Sequence, residues 1–544
     1  MDARRPQVAD LGVFLLVVAA PLVLTPFTLS PFGDPKLVAV AGAAVALWAA
    51  GFRGNGSAAA RPLVWAAGAW VALTVAAALA GVDPSRGLTA QPGGEGGGLI
   101  VVLVCVVVLL AGTGSSNERR EKARQWFVFS CTAIGIFGIL IRLAPGTFGT
   151  IGRLSFLGAT MGNQLFAGAL LAAGMVAAMG DREQPLSRQL PVVGLLALAT
   201  ATFGERSAVV LPVLGTIAVL IRARISWRRA AALCVCVAGV LGGWQIAAAH
   251  LPAGGRGASV TVAAQATDSQ RFTVWRVLAT RAVADRPVLG WGPGSTQSAY
   301  LANATEAEVR STTRLWADAH DLPLETLVTS GILGLLALVA VLGLAGIRAL
   351  RGPPERAWAV GAAAALGAYA LFEPVNLVLT PLLFFFLAVA GKTAPDTVAE
   401  GTARTRRGVR ALAGVTVSAA LVVSLLMFAG STLERWGQDY GEEWAYRAAL
   451  RVEPWRLSAT EQLATLLAVD GRSGDAGAAA EARTLMIDAV HAHPWDVNLR
   501  PRAADVDTLL GDAAGSADWI RAQIERFPGD AAGLQAAARA TQHP

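Results

Sequence analysis

Of the five histidines in this 544-residue chain, His320 stands in the segment richest in groups that move protons: Asp318-Ala-His320-Asp321-Leu-Pro323-Leu-Glu325. An imidazole titrates closest to neutral pH, so it is the side chain best suited to proton transfer there. Pro323 fits the first turn of a helix, which sets His320 just ahead of a helix N-terminus. Free N–H groups and a partial positive charge at such an end favour an anion. Glu325, in the same first turn, either caps the helix or orients neighbouring groups. Upstream lie Arg271-Phe-Thr-Val-Trp275-Arg276 and the tight turn Glu205-Arg206-Ser207, whose guanidinium forks can hold phosphate oxygens bidentately. Arg153 precedes Leu154-Ser155-Phe-Leu-Gly158-Ala-Thr160-Met-Gly162-Asn163, which adds a further guanidinium and an amide for contact with lipid or sugar. Each group also has a plainer reading: an interfacial histidine, a snorkelling arginine, a salt-paired or helix-capping residue.

Other chemistries find little support. Cys105, Cys131, Cys234 and Cys236 all fall in apolar runs, and Cys234-Val-Cys236 lacks zinc spacing, so buried inert thiols are expected, with no metal site and no disulfide. His250, His491, His493 and His543 show no partner set, and His491-Ala-His493 reads as a helix end. Gly290-Trp-Gly-Pro-Gly294 has no preceding strand and reads as a turn rather than a dinucleotide loop.

The elements that must position these residues are apolar. The chain is 54% hydrophobic and 15% charged with a mean hydropathy of +0.51, outside the soluble range. Runs long enough to cross a bilayer as helices lie near 11–29, 36–52, 63–81, 98–112, 125–143, 160–180, 190–203, 206–222, 230–249, 324–348, 357–373, 375–391 and 410–430, about thirteen in all. The short basic start running into Leu11–Leu24 reads as a retained first span. Basic residues alternate between successive connections. With a cytoplasmic N-terminus, arginine-rich segments at 119–124, 222–229, 348–356 and 404–410 fall inside, while Lys36, Arg86, Arg142 and Arg206 fall in sparsely charged outside loops. The net charge of +7 is therefore a topology signal, and nucleic acid is not an expected partner.

This topology leaves two large pieces outside: the loop 250–323 and the tail after Gly430. The tail reads as helices near 437–452, 456–470, 475–492, 496–511, 515–527 and 530–541. Pro454, Pro494 and Pro528 punctuate them at intervals of 40 and 34 residues. Such pairs look like tetratricopeptide repeats, and a generic helical bundle reads nearly as well. The expected domains are thus a membrane domain over 1–430 and an extracytoplasmic helical domain over 431–544.

Taken in order, Gly-x-x-x-Gly-Asn (158–163), the turn arginine Arg206, Arg-x-x-x-Trp (271–275), Asp-Arg-Pro-x-x-Gly-x-Gly (285–292) and His-x-x-x-x-Glu (320–325) before Gly331 and Gly334 resemble the O-antigen ligase and O-antigen polymerase family of membrane glycosyltransferases. The resemblance covers most of residues 80–391. It departs at Asp321, where an amide or hydroxyl is usual, and at Ala337, where a third glycine is expected. It implies an all-α, GT-C-like bundle in the cytoplasmic membrane that moves a glycan from an undecaprenyl-pyrophosphate carrier to an acceptor on the outer leaflet. Neither nucleotide sugar, cofactor nor metal is implied. Arg206 and Arg271 would neutralise the pyrophosphate. His320 would be the base on the acceptor hydroxyl, or would stay protonated and bind phosphate. Arg153, Asn163, Arg276 and Glu325 would contact substrate. Ligation and polymerisation use the same residues, and the acceptor could be a glycan, a lipid or a protein, with the tail as a surface for it or for a partner.

Two other classes compete. A flippase for lipid-linked sugar calls for ionisable groups deep in the spans and an inverted repeat, neither of which is visible. A non-catalytic assembly scaffold would work through its tail and would leave His320 and the arginines dispensable.

Overall fold

A computed structural model describes residues 4–50, 61–88, 98–144, 147, 150–151, 154–156, 158–181, 184–203, 207–223, 226–250, 265–312, 316–373, 375–391 and 403–530. Apart from a two-residue antiparallel bridge pairing Thr150 with Ser155, the regular structure described is helical. In chain order the first half runs α1 (Arg4–Phe14, extended through Leu15–Ala19 and Ala20–Leu22), α2 (Asp34–Ala49), α3 (Arg61–Ala80), α4 (Leu99–Thr113) and α5 (Asn117–Leu143). It continues with α6 (Gln164–Met179), α7 (Leu186–Phe203), α8 (Ser207–Ala223) and α9 (Trp227–His250). The large loop contributes α10 (Gln265–Val277), α11 (Thr296–Asn303) and α12 (Glu306–Arg310). Then come α13 (Leu322–Leu350), α14 (Ala357–Ala370), α15 (Leu379–Ala390) and the long α16 (Ala403–Tyr440).

Each apolar run read from the sequence overlaps a helix among the described residues, although the first run leaves its helix at Leu22 and the run 375–391 becomes helical only at Leu379. Arg61–Ala80, Asn117–Leu143, Leu186–Phe203, Leu322–Leu350 and Ala413–Tyr440 are long and apolar enough to cross a membrane. Others are apolar but short: α15 has 12 residues, a rise of about 18 Å against a hydrocarbon core of about 30 Å. Outward-facing Phe129, Ile136, Leu336, Val339, Val415 and Val422 are exposed, more apolar surface than a soluble protein leaves uncovered. Inside, α6 and α15 are buried nearly throughout. Trp70 stacks on Phe384 at 5.4 Å, and Phe127 meets Phe386 at 4.8 Å.

Polar contacts sort the connections into two ends. At one, Arg119 pairs with Asp10 (2.8 Å) and Arg124 with Asp181 (2.7 Å), while Arg229 donates to the Asp181 carbonyl (2.6 Å) and Arg356 to Asn117 (2.9 Å). The large loop, the turn after α14 and the tail gather at the other. Lys36 differs from its expected place in an outside loop. It is buried in the first turn of α2, where Nζ donates to the carbonyls of Ala20, Pro21 and Val23, each at 2.9 Å. A compact ammonium with three donors fits three carbonyls left bare at the end of α1, which a planar guanidinium would not. Cys105 and Cys131 are buried as expected, whereas Cys234 is exposed on an outward face of α9 that also shows Val235 and Ile246.

Gly331 interrupts α13 at φ +65°, ψ −172°, a conformation essentially confined to glycine. The break frees backbone groups that the loop takes up: Trp291 N–H donates to Val328 O and Gly292 N–H to Thr329 O, both at 2.9 Å, and Ile332 N–H reaches Pro287 O at 2.9 Å. A Cβ on Gly290 would sit 2.5 Å from Val328 O. The Asp-Arg-Pro-x-x-Gly-x-Gly segment is therefore a seam that clips the large loop onto α13.

The tail comprises α17 (Glu443–Val452), α18 (Leu457–Arg472), α19 (Ala476–Ala492), α20 (Leu499–Leu509) and α21 (Ala513–Arg526), with a 3-10 turn at Pro528–Asp530. The residues before the three prolines share one backbone conformation: Glu453 (−132°, 78°), His493 (−128°, 63°) and Phe527 (−130°, 77°). Helix α16 continues past Gly430 to Tyr440, so no break falls at the expected boundary. The junction is polar and buried: Arg456 donates to Glu434 and Glu453, and Ser431 donates to Asp34.

Candidate active site

The His320 turn is built from its carboxylates outward. Asp321 is the N-cap of α13, accepting from Leu324 N–H at 2.6 Å, with Pro323 in the first turn. Capping being taken, Glu325 is free to do something else. It is buried, and it accepts from Thr296 Oγ1 and from Ala319 N–H, each at 2.8 Å. Trp275 Nε1 donates to Ala319 O at 2.6 Å, so both backbone groups of Ala319 are held. The next residue, His320, has φ +52°, in the left-handed region that histidine tolerates better than most side chains. Asp318 closes the turn, accepting His320 N–H at 2.8 Å with an oxygen that lies 2.6 Å from Nδ1. The ring edge meets Trp316 at 4.3 Å, and about a quarter of the side chain stays exposed. The result is an imidazole fixed at one nitrogen by a carboxylate, the arrangement that prepares the other for proton transfer.

Arg271 comes to the same region through α10, on which Arg271 and Trp275 share a face at i, i+4. Its Nη1 donates to Phe372 O at 2.7 Å and its Nη2 pairs with Glu373 at 3.0 Å. Its Nε is buried with no hydrogen-bond acceptor among the described residues. Four carboxylates stand near this centre, and each has a protein partner: Asp318 on His320, Asp321 on Leu324, Glu325 on Thr296 and Ala319, Glu373 on Arg271. They wire the site together, two of them directly holding the imidazole and the guanidinium in place.

The turn 372–380 was not singled out in the sequence, yet it joins three places. Phe372 and Glu373 hold Arg271. Asn376, Leu377 and Val378 line a cleft of about 560 Å³ with Asn163, Ser30 and Lys36. Val375 and Thr380 line a second cleft, of about 450 Å³, with Glu325, Thr326, Thr329 and Trp70. A carboxylate followed by proline between two apolar runs was the signal that could have marked it, because charge at a span end is costly and is kept for a reason.

The remaining candidates divide. Asn163 caps α6, its Oδ1 accepting from Leu165 N–H at 2.9 Å, and its cleft is shared with Asn376, Leu377 and Val378 of the 372–380 turn. Arg276 is exposed and pairs with Glu308 at 2.9 Å, away from the His320 turn. The same carboxylate is held at a pKa of about 2, chiefly by its hydrogen bond from Arg281. Arg153 and Arg206 lie outside the described residues. His493, expected to be without a partner, lies with its Nδ1 3.0 Å from Asp83, because the tail folds back onto the turn after α3. Among the described residues no group of His, Cys, Asp and Glu could hold a metal ion.

Comparison with known proteins gives a consistent result. No curated protein matches the chain. Residues 191–339 match the family model described as O-antigen ligase, a stretch that holds Arg206, Arg271, Arg276, His320 and Glu325. This match supports an O-antigen ligase and polymerase family assignment for the stretch 191–339, and several helices apolar enough to cross a membrane fit a multi-pass membrane protein.

Proposed function

We propose that the chain transfers a glycan from a lipid diphosphate carrier, of the undecaprenyl class, to an acceptor hydroxyl at the outer face of the cytoplasmic membrane, without a metal. The observation that carries this reading is the His320 turn, with Asp318 on Nδ1 and Arg271 brought alongside by the Trp275 contact. In the reaction, His320 Nε2 takes the acceptor proton as the oxygen attacks the anomeric carbon. The bond from that carbon to the diphosphate oxygen breaks, and the leaving diphosphate carries the electron pair. Arg271, through the part of its guanidinium that stays exposed, meets the developing charge, and Arg206 is its proposed second partner. Asn163, Arg153 and Arg276 are proposed to contact lipid or sugar at the rim. In this reading the helices cross the membrane about thirteen times from a cytoplasmic N-terminus. The tail is a tetratricopeptide-like array outside, a reading supported by the recurring dihedral angles before its three prolines.

The test is transfer by the purified chain in vesicles supplied with a diphosphate-linked glycan and a hydroxyl acceptor. Arg271→Ala is expected to lower turnover by about 100-fold or more, the scale of losing a preorganised charge-stabilising donor. Glu373→Gln, which leaves the guanidinium but frees it, is expected to raise KM several-fold. Unchanged transfer by Arg271→Ala would show the ion pair to be scaffolding alone.

A further inference from the structure

We infer that the C-terminal tail positions the His320 turn, with Trp495 as the residue through which it does so; the inference rests on the proposed role of His320. Trp495 follows the second of the three junction prolines. Its indole meets the ring of Trp291 edge-on at 5.3 Å, and its carbonyl accepts from Ser298 Oγ at 2.7 Å. Phe527, fully buried, backs it at 6.1 Å, and the Arg526 guanidinium lies 4.5 Å over the indole. Together these put residues of two tail helix pairs into the hydrophobic core of the large loop.

What Trp495 touches is the part of the loop that everything else hangs on. Trp291 is 1% exposed. It donates backbone N–H to Val328 O and indole N–H to Ala282 O, and its carbonyl accepts from Val82 N–H, each at 2.9 Å. Ser298 lies on α11, two residues after Thr296, whose hydroxyl holds Glu325, which in turn holds Ala319 N–H beside His320. Each link is a direct packing contact, a hydrogen bond between buried or half-buried groups, or a step of one or two residues along the backbone. Around this core, Arg86 pairs with Asp496 and Asp83 with His493, so the tail is fastened to the turn after α3 as well. A recruitment module joined only through α16 would need none of these contacts. A left-handed histidine, which an unsupported turn would relax, does need a rigid frame.

The experiment measures hydrogen exchange and transfer kinetics on the full chain in vesicles. Trp495→Ala is expected to speed exchange at Ala319 and His320 by at least tenfold and to lower kcat by a similar factor at unchanged donor KM. Trp495→Phe, which keeps an aromatic edge against Trp291, is expected to restore both. Because Trp495→Ala could unfold the tail itself, the double variant Ser298→Ala, Arg86→Gln loosens the seam from the bundle side with the tail sequence intact, and it is expected to act in the same direction. Faster exchange in the tail with residues 316–321 and kcat both unchanged, in either variant, would overturn the inference. His320→Ala serves as the separate control. If it transfers glycan at the normal rate, the proposed function fails, whereas the exchange result still decides whether tail and turn are coupled.

Discussion

At His320 the backbone sits at φ +52°, so the direction of the ring is set by the turn before any substrate arrives. Asp318, two residues upstream, accepts the backbone N–H and lies 2.6 Å from Nδ1, and replacing it separates orientation from chemistry. Asp318→Asn is expected to lower turnover on the order of tenfold, since a hydrogen bond to a charged group contributes roughly 1.5–3 kcal/mol. The check is kcat measured across pH, and an unaltered profile would remove Asp318 from the account. The sequence made His320 and Arg271 visible because imidazole and guanidinium in a long polar loop stand out against apolar spans. It left the wiring dark. Asp318 stood beside the histidine with no role legible from the sequence, and Glu373 lies 102 residues from its partner, a separation no local pattern encodes. Asp321 stood out as a departure from the family pattern, and in the fold it is the cap of the following helix.

Among elements, the seam between the large loop and α13 determines whether the site exists. Gly331→Ala would force a side chain into a backbone region that costs roughly 1–3 kcal/mol and drive its Cβ into the Val288 carbonyl. The expected result is a thermal midpoint several degrees lower with residues 316–321 deprotected, and an unchanged midpoint would count against the seam. The tail fastening has its own signature in pH. Burial alone would raise the Asp83 carboxyl. Its hydrogen bonds from His493, the Arg86 backbone and Ser85, together with the His493 charge, outweigh that and hold it at about 2, below its ordinary 3.8. A depressed carboxyl contributes stability that is present above its unfolded value and lost as pH falls through the folded one. Here that is about 2 kcal/mol, lost between roughly pH 4 and pH 2. Proteolysis of the tail is expected to accelerate in that window, and Asp83→Asn is expected to remove the dependence. The helices themselves were legible, since apolar runs declare themselves in composition. The kink at Gly331 was not, because its cause is a loop 40 residues upstream.

Over the whole molecule, the contacts gather the arginine-rich connections at one end of the bundle, and gather His320, Arg271, Glu373, Asn163 and the tail at the other. An alternation of basic loops would produce such a segregation, and on the proposed topology the chemistry lies at one membrane face. In a chain whose native cysteines are replaced, cysteines introduced at the exposed positions Asn163 and Asp505 should react with a membrane-impermeant thiol reagent from the same side, and one at Glu118 from the opposite side; all three reacting from one side would undo the topology. The proposed function turns on an imidazole acting as base on the acceptor hydroxyl that attacks a lipid-linked donor. The most direct measurement compares purified wild-type and His320→Ala chains in sealed vesicles containing EDTA, following glycan transferred and carrier diphosphate released. Wild-type transfer that persists in EDTA, with a loss of about 100-fold or more in the variant while it remains folded and inserted, is the predicted result. Equal rates for the two chains would contradict it.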